Sequence, residues 1–374
     1  MLIAKIALGL LGLGIVVFFH ELGHFLAARL VGINVEAFSI GWGKPFLKKK
    51  IGNCEYRLGI FPIGGYCKMQ GDSDYSNEAY KKLEEGILPE KGSYLAAPPA
   101  ARILVSFAGP FFNLVLAVIL FSFIWGIGFE INTYDNRVNL SSELNPGEVN
   151  PADIAGIKSG DRIISIDNRD ITYFHEIREN IAINADKPLS IVIQRNNENI
   201  QLNITPSMEK ESGRGLIGIY PYSEEVISYH TPKLSLPGAI VKGVQESYRT
   251  LIISVTSLRL LFKGIDLTQA VSGPVRITYM MGDFTTQGFN QSVGTGLHIF
   301  VNFISLISIA LCVMNLLPLP ILDGGMIILF LIELIRRKPA HPKAIAVFQT
   351  CGMIIIFSLF VFALFGDIMF FVNK

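Results

Sequence analysis

Residues 16–28 read VVFFHELGHFLAA, an apolar run that contains His20, Glu21 and His24 in the pattern H-E-x-x-H. On a helix, residues i and i+4 lie on one face, so His20 and His24 can bind one metal ion with Glu21 beside it. A bound Zn²⁺ lowers the pKa of its water to about 7, and Glu21 can take the proton as the water attacks a carbonyl. The stretch therefore predicts a helix that carries a site for metal-assisted hydrolysis.

The apolar surroundings strengthen this interpretation. Ionisable side chains in the hydrophobic depth of a membrane are costly unless they have partners, so a cluster of them indicates a functional site. The alternative is a pair of histidines that are satisfied by neighbouring helices and bind no metal.

The composition indicates a membrane protein with an aqueous portion. The chain has 374 residues, of which 50% are hydrophobic and 17% are charged. Its net charge is +1 and no run of like charge is longer than the three residues of Lys48-Lys49-Lys50, which argues against a nucleic-acid partner. The four cysteines lie far apart in the sequence and predict no zinc finger and no disulfide framework.

Four segments are long and apolar enough to cross a bilayer. They are residues 2–31, 103–129, 299–333 and 344–365. The first runs directly into the H-E-x-x-H helix and offers no small-residue cleavage site, so we expect it to be retained as a span. In the second, Asn113 follows a Gly-Pro pair, and a packing role is the expected one. Residues 237–262 are apolar-periodic but too charged to span, which predicts an interfacial or packing helix.

Residues 35–70 interleave aromatic and β-branched residues with glycines and predict hairpin strands. Open strand edges cannot face lipid, so such a sheet must lie in protein or in a water-filled cavity beside the metal. There its edge could hold an extended substrate by strand addition. The alternative is a simple cytoplasmic hairpin. Residues 71–100 predict a polar surface segment.

Residues 130–222 predict a small soluble β-rich domain, because short strand-like runs alternate there with charged turns. Residues 151–167, PADIAGIKSGDRIISID, resemble the core of a bacterial PDZ domain. Residues 223–298 are then a linker with an amphipathic helix. The membrane core falls into residues 1–129 and 299–374.

Two prolines and two glycines between positions 318 and 325 predict a break in the third span. Membranes tolerate such a break where the freed backbone lines a polar site. Asp323 sits at the break, where a third metal ligand is expected because catalytic zinc takes three protein ligands. The alternative is that Asp323 caps the following half-helix. Asn315 could hold substrate backbone or an oxyanion, or it could serve packing alone.

Basic residues predict the orientation. Lys44 and Lys48–Lys50 follow the first span, and Arg336–Lys343 precede the fourth. Both stretches belong on the cytoplasmic side. With four spans, the N-terminus, the soluble domain and the C-terminus then lie outside the cytoplasm.

Several motifs together resemble the site-2 protease family of intramembrane zinc metalloproteases, in a form with one PDZ domain. They are FHELGH at 19–24, FSIGWG at 38–43, GGY at 64–66, GPFFN at 109–113, SGP at 272–274 and NLLPLPILDG at 315–324. The resemblance implies a polytopic α-helical membrane protein with four transmembrane helices, a membrane-associated β-hairpin region and one inserted PDZ-like domain.

The resemblance also implies roles and partners. His20, His24 and Asp323 match the zinc ligands, Glu21 matches the catalytic base, and Asn315 matches a substrate-binding asparagine. The expected substrates are single-span membrane proteins, such as anti-sigma factors or remnant signal peptides, in the bacterial inner membrane. Two alternatives stay open, a divalent-metal transporter and a non-catalytic peptide-binding scaffold.

Overall fold

The computed structural model describes residues 2–71, 90–145, 147, 149–209, 213–260, 273–338 and 340–372. The chain divides into two compact units. The first contains Met1–Ile127, Lys233–Ser254 and Ser272–Lys374, and the second includes Gly128–Pro232. Part of the predicted polar segment, residues 72–89, and Ser272 of the S-G-P motif lie outside the described residues.

The described residues form nine α-helices. They are α1 Leu2–Leu30, α2 Pro99–Ile127, α3 Pro151–Ala155, α4 Phe174–Ala182, α5 Leu236–Leu260, α6 Pro274–Gln291, α7 Val293–Asn315, α8 Asp323–Arg336 and α9 Pro342–Val372. All but α3 and α4 belong wholly or in part to the first unit.

The strands of the first unit are β1 Val35–Ile51 and β2 Cys54–Met69. Those of the second unit are β3 Glu130–Thr133, β4 Val138–Leu140, β5 Arg162–Ile166, β6 Arg169–Asp170, β7 Leu189–Arg195, β8 Glu198–Ile204, β9 Ser207–Met208, β10 Gly215–Leu216, β11 Ile219–Pro221 and β12 Ile227–His230.

In the part of the chain that the structure describes, four helices are long and apolar enough to cross a membrane, namely α1, α2, α7 and α9. Their large apolar side chains are often exposed, as with Ile3 on α1 and Phe357 on α9, at 84% and 65%. Such exposure is expected of helices whose outer faces meet lipid rather than water. The prediction of four apolar segments long enough to span a membrane is confirmed at this level.

The predicted third span, residues 299–333, is wrong as a single element. Helix α7 ends at Asn315 and α8 begins at Asp323. Prolines at 318 and 320 cannot donate to a helical ladder, so the seven residues between the two helices leave the helical path. The break itself is where the sequence predicts it. The 14 residues of α8 are too few to cross the bilayer.

Strands β1 and β2 form a folded hairpin with several register shifts. Residues 37–40 of β1 pair with 65–68 of β2 on one side and with 55–58 on the other, while 47–51 pair with 54–58. Aromatic rings join this sheet to α1, with Phe38 5.2 Å from Phe25 and 6.1 Å from Phe18 between ring centroids. The hairpin is therefore anchored to the helix that carries the H-E-x-x-H motif.

Residues 223–298 were predicted to form a linker with one amphipathic helix, but they also contain α6. It packs against α1, where a side chain at Gly9 would clash with the carbonyl of Thr278. Close approach of this kind is typical of membrane helices, whose association depends on van der Waals contact. The amphipathic period of residues 237–262 is present as α5, which begins at Leu236 and ends at Leu260.

Asp367 of α9 holds the start of α6. Its carboxylate is 2% exposed and accepts hydrogen bonds from the backbone N–H groups of Gly273, Val275 and Arg276, at 2.8–3.1 Å. These N–H groups have no partner within the helix, and a carboxylate also suits the positive end of the helix dipole. The segment that starts at Gly273 is therefore built into the helical core.

The second unit contains a four-stranded sheet in the order β6-β5-β7-β8. Alternate residues of β7, such as Ile191 and Ile193, are fully buried in its apolar core with Ile163 and Ile177. The unit continues past the predicted end at residue 222, because β12 pairs with β3. Strand β3 alone leaves its backbone groups unpaired, and β12 supplies the partners.

A buried ion pair joins α2 to α8. Arg102 and Glu333 lie 2.8 Å apart, with side chains 8% and 4% exposed. Glu333 also accepts from the backbone N–H of Ala340, and Arg102 stacks over the ring of Phe330. Arg102 explains why α2 can begin at Pro99, before the predicted start at residue 103: its charge is neutralised inside the protein.

We expect Glu333→Ala to lower the free energy of unfolding by about 3–5 kcal/mol, because it leaves the buried Arg102 charge uncompensated. Denaturant unfolding of the purified protein in detergent measures this. The control is Glu36→Ala, whose partner Lys68 and own side chain are 53% and 44% exposed, and which should cost less than about 1 kcal/mol. Equal losses in the two variants would contradict this account.

Candidate metal centre

Three candidate metal ligands meet in the first unit. Nε2 of His20 lies 3.2 Å from Nε2 of His24, and the Asp323 carboxylate oxygens lie 3.3 Å and 3.5 Å from these two nitrogens. The histidines come from successive turns of α1, and the aspartate is the first residue of α8. The predicted pair and the predicted third residue are thus side by side, although 299 positions separate His24 from Asp323.

The site is largely closed off. His20 and His24 are 8% and 9% exposed, and the side chain of Asp323 is 19% exposed. Among the described residues, this is the one group of three metal-binding side chains that could share an ion. A polar cluster in such surroundings needs a partner for each of its groups.

The geometry of the three ligand atoms fits zinc. With bonds of about 2.0–2.1 Å, two ligands of a tetrahedral zinc ion lie about 3.3–3.4 Å apart. The three measured separations are 3.2, 3.3 and 3.5 Å. Two imidazoles and one carboxylate also match the ligand types of catalytic zinc sites, which keep a fourth position open.

The second ring nitrogen of His24, Nδ1, also supports a metal site. Nδ1 of His24 lies 2.8 Å from the carbonyl oxygen of Val105 on α2. A carbonyl can only accept, so Nδ1 carries the proton and Nε2 is left as the basic nitrogen that faces Asp323. A histidine that binds metal usually has its other nitrogen held in this way.

The turn before Asp323 is strained. Ile321 has φ of +78°, a conformation that a β-branched residue rarely adopts. Such strain costs about 1–3 kcal/mol and persists where the surrounding structure demands it. The preceding Leu322 occupies the N-cap position without a side-chain cap, and the Asp323 carboxylate points at the two histidines instead. The contacts therefore favour the ligand interpretation of Asp323 over the capping alternative.

Glu21 and Asn315 lie beside these ligands. The Asn315 amide nitrogen is 3.4 Å from Nε2 of His20. Glu21 is close enough to His24 and Asp323 for charge interaction, and the backbone of Cys67 on β2 forms a hydrogen bond with its carboxyl group. A side chain at Gly65 would come within 3.1 Å of the Glu21 side chain. All five residues that the sequence predicts for the site are thus brought together.

Helix α2 supplies a wall behind the histidines that the sequence analysis did not assign. Gly109 faces both rings: a Cβ there would lie 2.8 Å from Cε1 of His20 and would clash with Nε2 of His24. Asn113 is fully buried one turn further on, with its amide nitrogen 3.2 Å from Nδ1 of His20. The spacing of Val105, Gly109 and Asn113 was the available signal, since residues four apart share a helix face.

A known protein family matches most of the chain. The sequence profile described as "Peptidase family M50" matches residues 8–359. The chain belongs to this family. It is therefore a membrane-embedded metalloprotease of the site-2 type, as the motifs predicted, and the four apolar helices make it a multi-pass membrane protein.

The similarity to individual relatives extends over nearly the whole chain. The chain is 30% identical to a candidate zinc metalloprotease of Treponema pallidum, over 98% of this chain and 99% of the relative. It is 33% identical to one of Campylobacter jejuni, over 94% and 90%. It is 28% identical to the candidate protease Eep of Enterococcus faecalis, over 95% and 96%. The names of the first two agree with Zn²⁺ as the expected cofactor.

We expect Gly109→Ala to disrupt the metal centre, because the added methyl group would push the two imidazole rings out of the positions in which both can bind one metal ion. Metal analysis of the purified variant should find zinc content reduced to a small fraction of the wild-type value. The matched control is Gly126→Ala on the same helix, where a Cβ meets only a methyl carbon at 3.7 Å. A wild-type zinc content in Gly109→Ala would contradict this account, because it would show that the imidazole rings tolerate a side chain at position 109.

Proposed function

We propose that this protein is an intramembrane zinc endopeptidase that cuts single-span membrane proteins within or near their transmembrane segments. One observation carries the proposal: two imidazoles and a carboxylate converge at 3.2–3.5 Å among apolar helices, with a second carboxyl group, that of Glu21, beside them. This set is the one needed for hydrolysis, since it combines metal ligands with a proton acceptor.

His20, His24 and Asp323 would hold the zinc ion. When bound, zinc polarises the scissile carbonyl and lowers the pKa of a water to about 7. The basic Nε2 of His24 and the low exposure of all three side chains support the assignment.

Glu21 acts as the general base. Its carboxylate takes a proton from the attacking water and returns it to the nitrogen of the leaving amine, so that atoms and charge balance over the reaction. The backbone contact with Cys67 limits where the carboxyl group can move. Asn315 can donate its amide N–H to the substrate carbonyl as negative charge develops on the oxygen.

The hairpin gives the substrate a place beside Glu21. The segment 65–69 of β2 pairs on one side with β1, and no other strand of the described residues pairs with its opposite side. A substrate helix that unwinds could add its extended backbone to this edge, which would fix the scissile bond near the base. We therefore expect substrates with weak transmembrane helices, and anti-sigma factors and remnant signal peptides are two such classes.

The chain works in the bacterial inner membrane under this proposal. Lys44 and Lys48–Lys50 on β1 and the basic segment at 336–343 favour the cytoplasmic side for the hairpin and for the connection between α8 and α9. The two termini and the second unit then face away from the cytoplasm.

The second unit acts as a PDZ-like peptide-binding domain. A groove of about 380 Å³ lies between α4 and the residues around β10, lined by Phe174, Ile177, Ile181, Leu216 and Ile217 among others. A helix and a strand that flank an apolar groove suit an extended peptide, whose backbone can pair with the strand while an apolar side chain fills the groove. The bound segment would belong to a substrate or to a regulator of access.

The alternatives explain fewer observations. A divalent-metal transporter needs ligands at successive depths, whereas the described residues offer one group at one depth. A non-catalytic scaffold does not need Glu21 or Asp323, and both residues are present beside the histidines.

We expect Glu21→Gln to keep its zinc and to lose cleavage by at least about 100-fold, because glutamine cannot accept the proton. Cleavage of a single-span substrate by purified protein in detergent measures the loss, with metal content determined on the same samples. His24→Ala is the reference variant and should lose zinc and cleavage together. Rapid turnover by a zinc-loaded Glu21→Gln protein would rule out this base.

Leu216→Glu should weaken the binding of apolar peptides to the second unit, because a charge would enter the groove. Leu216 is 46% exposed, so its replacement should leave the fold intact. Fluorescence anisotropy with peptides that have free or amidated C-termini tests both the groove and the need for a terminal carboxylate. The control is Val226→Glu, which is 52% exposed and lies outside the lining. Equal affinities for the two variants would disprove the proposed groove.

A further inference from the structure

Asn113 is buried where a polar side chain is most costly. It lies in the middle of α2 and is 0% exposed, and its side-chain oxygen Oδ1 has no hydrogen-bond partner among the residues that the structure describes. Its amide nitrogen Nδ2 lies 3.2 Å from Nδ1 of His20. A buried amide oxygen without a partner needs a reason, because it has lost water and gained nothing in return.

The chemistry of His20 provides that reason. A neutral imidazole has one nitrogen with a proton and one without. Nε2 of His20 faces Nε2 of His24 and the Asp323 carboxylate, so under the proposed function it is the nitrogen that binds metal. Nδ1 must then carry the proton, and an N–H group cannot bond to the amide N–H of Asn113.

Rotating the amide by half a turn resolves the conflict. Oδ1 then takes the place of Nδ2 and accepts the proton of His20 Nδ1, while the NH₂ group takes the place that the oxygen leaves. The two orientations differ little in shape, so the proton on His20 decides between them. The same rotation gives the unpartnered oxygen its donor.

Helix α2 would then supply a hydrogen-bond acceptor to Nδ1 of each histidine. The carbonyl oxygen of Val105 accepts from His24 Nδ1 at 2.8 Å, and Asn113 lies eight residues further on the same face. Between them, Gly109 leaves room for the two rings. The position of Asn113 is itself held, because Ser308 of α7 donates to its backbone carbonyl at 2.7 Å.

We propose that Asn113 is a positioning residue that accepts a hydrogen bond from Nδ1 of His20 and thereby presents Nε2 to the metal. The inference rests on the proposed function, because it requires His20 to be a zinc ligand. It goes beyond that function by assigning the amide oxygen of a second helix as the group that selects the tautomer.

The test compares three variants by their affinity for zinc, measured by competition with a chromophoric chelator on metal-depleted protein in detergent. Asn113→Leu has similar size but no acceptor, and should bind zinc about 10–100-fold more weakly. Asn113→Asp keeps an acceptor and has no N–H to offer, so it should stay within about threefold of the wild type or bind more tightly. Ser308→Ala loses only the contact to the backbone carbonyl and should also stay within about threefold.

A merely structural role would give a different pattern. If Asn113 donated its N–H group to His20, Asn113→Asp would lose as much zinc affinity as Asn113→Leu, and that result would overturn the proposal. If Asn113 served packing alone, Asn113→Leu, whose side chain is of similar size, would keep the wild-type affinity. Wild-type affinity in Asn113→Leu would overturn it as well. Thermal unfolding of the metal-free variants shows whether each is folded, and a ¹⁵N spectrum of labelled histidine in Asn113→Asp should report Nδ1–H on His20.

His24→Ala separates this inference from the proposed function. If it binds zinc as tightly as the wild type, the metal centre itself is wrong, and the inference fails with it. If His24→Ala loses zinc while Asn113→Leu keeps it, the metal centre stands and only the role of Asn113 is rejected.

Discussion

The first unit depends on one constraint, which is the high cost of a polar group that is left without a partner among apolar helices. Lipid offers neither hydrogen bonds nor a strong hydrophobic force between helices, so polar contacts and close backbone approach must hold the bundle together. The two histidines and Asp323 form one such contact between α1 and α8. Arg102 with Glu333, and Asp367 with the start of α6, form others.

These contacts position the metal centre as well as stabilise the bundle. Helix α8 is short, and its first residue must meet α1 at the histidines. The Arg102–Glu333 pair fixes the far end of α8 to α2, the same helix that backs the imidazole rings. Helix α2 thereby sets both the direction of the carboxylate and the environment of the histidines, although it supplies no ligand.

Much of the fold and of the metal centre could be predicted from the sequence, because the decisive residues form patterns over short stretches of the chain. The spacing of His20 and His24 depends only on helical geometry, and the four spans follow from length and hydropathy. Residues 37–40 pair with 55–58 as well as with 65–68, and this second pairing was missed because the sequence pattern does not show the register shifts of the hairpin. Helix α6 was missed because it depends on contacts with α1 and Asp367, far along the chain. Asn113 was assigned to packing because its spacing from Val105 and Gly109 identifies a shared helix face but not the side chains that this face meets.

The metal centre joins residues from the two ends of the chain, and this has a consequence for biosynthesis. Translation must add 299 residues after His24 before Asp323 exists. At about 5–20 residues per second, this takes roughly 15–60 s. During that time α1 is already in the membrane with both histidines and Glu21, yet it lacks the third ligand. The nascent chain therefore has no complete metal centre until α7 has been made and the first residue of α8 has followed it.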